Sequence, residues 1–214
     1  MPTFQTPGPI AVAVEVLSAD VTVHAADRTD TVVDIRPADE SKKGDIRAAE
    51  QTRVDFTGDV LTVTTPKDWR THTPFGGNPT ISVTIEVPTG SRLMSTAGVG
   101  RIATTGELGR CDLDIAAGDI SVERAVDSVT AKVAKGDIRI GEAVRGELRL
   151  ETSMGELEIG ISSGSAVQLE VNALQGSVHN QMGPVGHPQS EAEVVRVYAR
   201  NSYGNIAIRH AVPA

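Results

Sequence analysis

The chain has 214 residues, 20 basic and 28 acidic side chains for a net charge of −8, one cysteine and only six aromatics. Val, Ile and Thr supply 60 of the 214 residues. Their stiffness at χ1 suits a pleated surface, so the composition predicts strands and excludes a helical bundle, a disulfide framework, a collagen and a disordered tail. Acidic residues outnumber basic ones 13 to 8 over residues 1–88 and 15 to 12 over 89–214, which argues against nucleic acid as a partner.

Taken in chain order, Met1-Pro2-Thr3-Phe4-Gln5-Thr6 has neither the basic nor the apolar region of a signal peptide. No stretch approaches the ~18 apolar residues of a membrane helix. With the lone Cys111 these features predict a cytoplasmic chain without membrane insertion. Alternating apolar residues then predict strands at Ile10 to Val16, Val21 to Val23, Val32 to Ile35, Val60 to Val63 and Ile81 to Val87. Residues 38–53 are charged and mixed, with one helical turn expected around Ile46 to Glu50. Pro66 to Pro79 reads as a loop, and Pro88-Thr89-Gly90 as a hinge. The chain thus divides into an irregular β-rich part, 1–88, and a repeat region, 89–214, within one continuous architecture.

The repeat is anchored on a Gly, one polar or charged residue and an aliphatic. The corners are Gly100, Gly118, Gly136, Gly155, Gly176 and Gly204. Aliphatics recur at seven, five and three residues before most of these Gly and at two and four after most of them, as in Cys111, Leu113, Ile115, Ile120 and Val122. Period 2 on both flanks means two short strands, each with one buried face, meeting at a Gly corner. One such unit cannot bury its apolar face alone, whereas a stack can. The predicted fold is all-β: a β-solenoid, parallel β-helix or β-roll-like, of six repeats of about 18–21 residues. An antiparallel sandwich is the alternative, because period 2 does not set strand direction. The register weakens around Asn180 and Asn201, so the last coils read as a cap.

Several stretches together resemble a known family: Phe4-x-Thr6-Pro7-x-Pro9-Ile10, Ala48-Ala49-Glu50-Gln51-Thr52-Arg53-Val54, the loop from Trp69-Arg70 to Pro74-Phe75-Gly76-Gly77, and the Gly-Asp-Ile corners. They resemble the bacterial DUF4097 β-strand-repeat proteins of actinobacterial type, sometimes labelled adhesin-like. The resemblance spans nearly the whole chain. It implies a β-solenoid-like fold and no established catalytic residues.

Candidate chemistry is sparse. Gly160-Ile161-Ser162-Ser163-Gly164 has the spacing of a nucleophile elbow, but that elbow needs a following helix and the next residues continue as strand. Gly98-Val99-Gly100 likewise lacks the helix that would receive a pyrophosphate. Asp119, Asp137 and Glu156 recur at the corner and read as solvated turn residues rather than a metal ladder. His24, His72, His179, His187 and His210 show no zinc-site spacing. No catalytic residue, metal ligand or cofactor is therefore assigned. The candidate binding residues are Trp69, Arg70, His72 and Phe75, where scarce aromatics sit beside Arg and His in a Gly/Pro-rich loop. Two readings of that loop stand: a recognition element, or a cap over the apolar end of the stack.

The expected function is a non-enzymatic interaction or scaffold module with a protein partner, and open strand edges admit a homodimer. The alternative is a carbohydrate-binding or carbohydrate-active β-helix. Its exposed sheet would carry ladders of acid, Arg and aromatic side chains, and no aromatic is evident beside Arg101, Arg139, Arg149 and Glu158. A hexapeptide-repeat acyltransferase is disfavoured, because its aliphatics would recur every six residues.

Overall fold

The computed structural model of the chain describes residues 1–66, 79–182 and 194–211. In chain order the elements are β1 (Thr3–Gln5), β2 (Ala11–Ala26), β3 (Asp30–Pro37), α1 (Lys43–Gln51), β4 (Arg53–Thr57), β5 (Val60–Thr64) and β6 (Ile81–Pro88). The repeat region follows as β7 (Arg92–Leu108), β8 (Cys111–Ala125), β9 (Val129–Lys135), β10 (Ile138–Ala143), β11 (Gly146–Met154) and β12 (Leu157–Ile161). It ends with β13 (Ala166–Gln175), β14 (Val178–Asn180), β15 (Val194–Tyr203) and β16 (Ile206–His210). The protein is all-β apart from the one short helix.

Every ladder within 92–210 is parallel. The antiparallel pairs among the described residues, β1 with β3, β3 with β6 and β4 with β5, lie in the first part of the chain. The antiparallel sandwich is thereby set aside for the repeats. Two layers result. The strands before the corner run β4-β5-β2-β7-β8-β9-β11-β15-β13, and those after it run β1-β3-β6-β2-β7-β8-β10-β12-β16-β14. We call them sheet I and sheet II. Because β2, β7 and β8 pass through the corner unbroken, the two are one sheet folded along it.

Register explains the aliphatic periodicity. Leu93, Cys111, Val129, Leu148, Val197 and Leu169 are successive partners in sheet I. Ile102, Ile120, Ile138, Leu157, Ile206 and Val178 are successive partners in sheet II. All but the last of each row are almost fully buried, within one core cluster. Stacked methyl-rich side chains fill the gap between the layers, so rings are not needed to reach close packing.

β2 is the first rung. Thirteen residues from Ala11 to His24 pair with β7, and Ala19 stands opposite Gly100. The Ser18-Ala19-Asp20 stretch is thus a corner of the same stack. Pro88-Thr89-Gly90 is tied into it as a turn: the Thr89 N–H donates to Ala26 O at 2.9 Å and the Gly90 N–H to Glu107 O at 2.8 Å. The helix is longer than the single turn expected. Asp45, buried in its first turn, accepts the Thr80 N–H at 3.0 Å, while Ala48 and Ala49 pack on the core.

The final coil is not the cap that its weakened register suggests. β15 lies between β11 and β13, and β16 between β12 and β14. The chain builds the 166–180 coil one position out and returns to fill the gap. Among the described residues the end of the stack is therefore the 166–180 coil, whose Leu169, Leu174 and Val178 are exposed.

Candidate functional site

The corner column accounts for most of the sequence's polar candidates. A Cβ on Gly118 would lie 1.7 Å from Gly100 O, and one on Gly204 would lie 1.9 Å from Gly155 O. Both residues also have φ near +130°. Only Gly allows the coils to stack this closely. The corner acids seal the column's outside: Asp119 Oδ1 accepts the Asp137 N–H at 3.0 Å, and Asp137 Oδ1 accepts the Glu156 N–H at 2.8 Å. Asn205 repeats the pattern, accepting from Ser177 N–H at 3.0 Å and donating from Nδ2 to Glu156 at 3.2 Å. These side chains satisfy backbone donors that the corner would otherwise leave open. On the inside, Asn201 Nδ2 donates to Gly155 O at 2.8 Å and Thr152 Oγ1 to Gly136 O at 2.9 Å.

The serine turn is structural too. Ser162 N–H donates to Ala143 O at 2.9 Å, Ser165 Oγ donates to Val144 O, and β13 follows directly. Gly98 and Gly100 lie inside β7. Cys111 is buried, and burial, followed by the charges of Asp112 and Asp127, pushes its thiol up to about 12. A thiol so held is a poor nucleophile. No group of three His, Cys, Asp or Glu able to hold a metal occurs among the described residues.

The outer face of sheet I is different. Outward residues on β8, β9, β11, β15 and β13 form charged rows that run across the strands. Asp114, Lys132, Glu151, Arg200 and Asn172 are successive partners, as are Thr130, Arg149, Tyr198 and Glu170. The guanidinium of Arg149 sits 4.9 Å from the centre of the Tyr198 ring. It also pairs with Glu147. Arg196 Nε donates to Gln168 at 3.2 Å along the neighbouring row. Around Tyr198 the surface sinks into a concavity of about 620 Å³ lined by Lys132, Arg149, Glu151, Glu170, Asn172 and Arg200, among others. A half-buried aromatic holding an Arg in place, ringed by charges of both signs, offers a rigid contact surface.

This corrects the expectation that no aromatic joins the exposed arginines: Tyr198 joins Arg149. Arg101, Arg139 and Glu158 lie on sheet II instead, where Arg139 makes a two-pronged pair with Glu158 at 2.9 and 3.1 Å. The alternation of Val195, Val197 and Ala199 already turns Tyr198 outward. What chain order hides is its neighbour, since β13 rather than β15 follows β12.

Trp69, Arg70, His72 and Phe75 fall within residues 67–78, outside the described residues. The described residues on either side of that segment each touch β2. Thr65 N–H donates to Glu15 O at 3.0 Å, and Thr80 Oγ1 meets Ser18 Oγ at 2.9 Å.

Parallel coils, a Gly column and a core of stacked aliphatics define a β-strand-repeat protein. More particularly, the chain belongs to the Toastrack DUF4097 family, whose profile matches residues 10–181. Among solved structures it is similar to a "putative cell adhesion protein" from Clostridium sporogenes, at 10% identity and a TM-score of 0.45, covering 96% of this chain and 94% of that one. It is similar to a "putative adhesin" from Bacteroides fragilis at 10% identity and a TM-score of 0.45, over 97% and 95% of the two chains. A "putative lipid binding protein" from Parabacteroides distasonis shares 10% identity at a TM-score of 0.26, over 99% and 96%. No curated protein matches the chain.

Proposed function

We propose that this chain is a non-enzymatic interaction or scaffold module: a β-solenoid of six Gly-corner repeats over residues 89–214, built on the β-rich segment 1–88. The observation that carries the reading is the Arg149–Tyr198 stack in the concavity of sheet I. Trp, Tyr and Arg are the side chains that dominate protein contacts when held in place. The polar groups that could have suggested catalysis are otherwise engaged. The corner acids accept backbone N–H groups, the Ser165 hydroxyl donates to the neighbouring coil, and the Cys111 thiol stays protonated and buried.

The partner is a protein with alternating charge, matching rows that already alternate in sign. A carbohydrate face would use a ladder of aromatics, of which Tyr198 is a single rung, so protein recognition is the reading kept. The proposed setting is the cytoplasm. No helix among the described residues is long and apolar enough to cross a membrane.

Affinity capture with wild type, Tyr198→Ala and Trp69→Ala tests both surfaces. Tyr198→Ala should reduce recovery of a partner at least about tenfold, the size of a single hot-spot loss. A matching loss with Trp69→Ala would assign recognition to the loop as well. Undiminished recovery with Tyr198→Ala, or measurable turnover of any substrate by the wild type, would overturn the proposal.

A further inference from the structure

The two ends of the stack are protected to very different degrees. At the β2 end the outermost strands are short and antiparallel: β1 has three residues, and β4 has five, including the charged Arg53 and Asp55. Short, charged edges discourage pairing with another chain. At the other end β13 runs for ten residues and, among the described residues, pairs only with β15, while β14 pairs only with β16. Half of the backbone N–H and C=O groups of β13 therefore point away from the protein's own sheet. This edge has no Lys, Arg or Pro, and Glu170 is the single Asp, Glu, Lys or Arg between residues 166 and 180.

Its apolar residues match those of a buried coil. Leu169 occupies the row of Leu148 and Val197, which are 0% and 1% exposed, yet it is 36% exposed itself. Val178, in the row of Leu157 and Ile206, is 46% exposed. Two residues before the corner Gly, the other coils carry Gly98, Ala116, Ala134, Ser153 and Ser202. The end coil alone carries a large apolar residue there, Leu174, which is 73% exposed. A terminal coil meant to face water would be expected to be more polar than its neighbours, not less.

We infer that the 166–180 coil is the interface of a two-fold homodimer, in which β13 pairs antiparallel with β13 of a second copy and joins the two stacks end to end. The edge is self-complementary when paired antiparallel about Val171, a register that spans residues 167–175 of β13. With Val171 opposite its counterpart, Leu169 faces Ala173, Glu170 faces Asn172 and Leu174 faces Gln168, so apolar meets apolar on the inner face, the only charge meets an amide, and Leu174 lies within the paired stretch. Centring the pair on Glu170 would instead set two carboxylates against each other, which like-charge repulsion disfavours. A two-fold contact uses both open edges at once, so assembly stops at the dimer. The N-terminal edges, β1 being only three residues long and β4 charged, do not offer a second joint that would extend it into a fibre.

Sedimentation velocity on the full chain across micromolar concentrations tests the inference. The wild type should sediment as a dimer. Leu169→Lys, which places an ammonium group in the apolar row opposite Ala173 of the second copy, should give a monomer whose far-UV circular dichroism is unchanged. Leu174→Lys alters a side chain too exposed to affect folding, and should shift the dimer toward monomer at least about tenfold. It decides the matter if Leu169→Lys fails to fold. A wild type that stays monomeric, a dimer that survives Leu174→Lys with folded Leu169→Lys also dimeric, or growth into longer assemblies would each overturn the inference.

Discussion

At the scale of single residues, the corner glycines show how a backbone requirement is written in the side chains. The carbonyl of one corner occupies the space where the next corner's Cβ would be, and the positive φ adds strain for any other residue. Gly118→Ala should therefore lower stability by about 3 kcal/mol or more, through clash and strain together. Gly164→Ala, at a turn with open space around it, should stay within about 0.5 kcal/mol of wild type. Urea denaturation of the two variants checks the contrast. Cys111 makes a second residue-scale prediction. Its folded thiol holds the proton to about pH 12, whereas the ordinary value is 9.0. The stabilisation from this proton is thus complete below about pH 9 and is lost as the pH rises toward 12. Native protein at pH 8 should resist thiol alkylation until denaturant is added; rapid labelling of the folded chain would contradict this.

Among the described elements, coils in the middle of the stack have neighbours on both sides, whereas the 166–180 coil has one. β8, β10 and β12 are flanked in sheet II on each side, and β14 is not. Local opening should follow that difference. In a Leu169→Lys monomer, the amides of β13 and β14 should exchange with deuterium at least about a hundredfold faster than those of β8 and β10. Uniform exchange across the coils would show that the stack opens only as a unit. The inserted coil explains why β15 carries Asn201 at an inward position. Its side chain donates to Gly155 O at 2.8 Å, bridging coils that are far apart in sequence.

For the molecule as a whole, stability rests on the aliphatic rows rather than on charge. Most of the described ion pairs lie at the surface, including Arg139 with Glu158 and Arg110 with Asp112, while Arg28 with Asp30 and Glu86 is part-buried. Exposed pairs contribute little and are screened by salt. Raising NaCl to about 0.5 M should move Tm by less than about 3 °C, measured by calorimetry. A larger drop would mean that the charged rows on sheet I hold the layers together.

The amino-acid sequence by itself determined the all-β class, the Gly corners and which aliphatics face inward. Each of these follows from local rules: a two-residue side-chain period, β-branched stiffness, and a backbone angle that only Gly adopts easily. Their spacing from a corner Gly alone puts Leu148, Ile138 and Val133 in the core, where they lie. The order of the coils belongs to the tertiary structure alone. Nothing local distinguishes a coil stacked next to its predecessor from one placed a step further out, because the same period and corner serve both. That choice sets Tyr198 beside Arg149, makes the 166–180 coil the open end, and gives the corner acids backbone partners in neighbouring coils. The inward pattern is a property of each strand, while the surface is a property of which strands become neighbours.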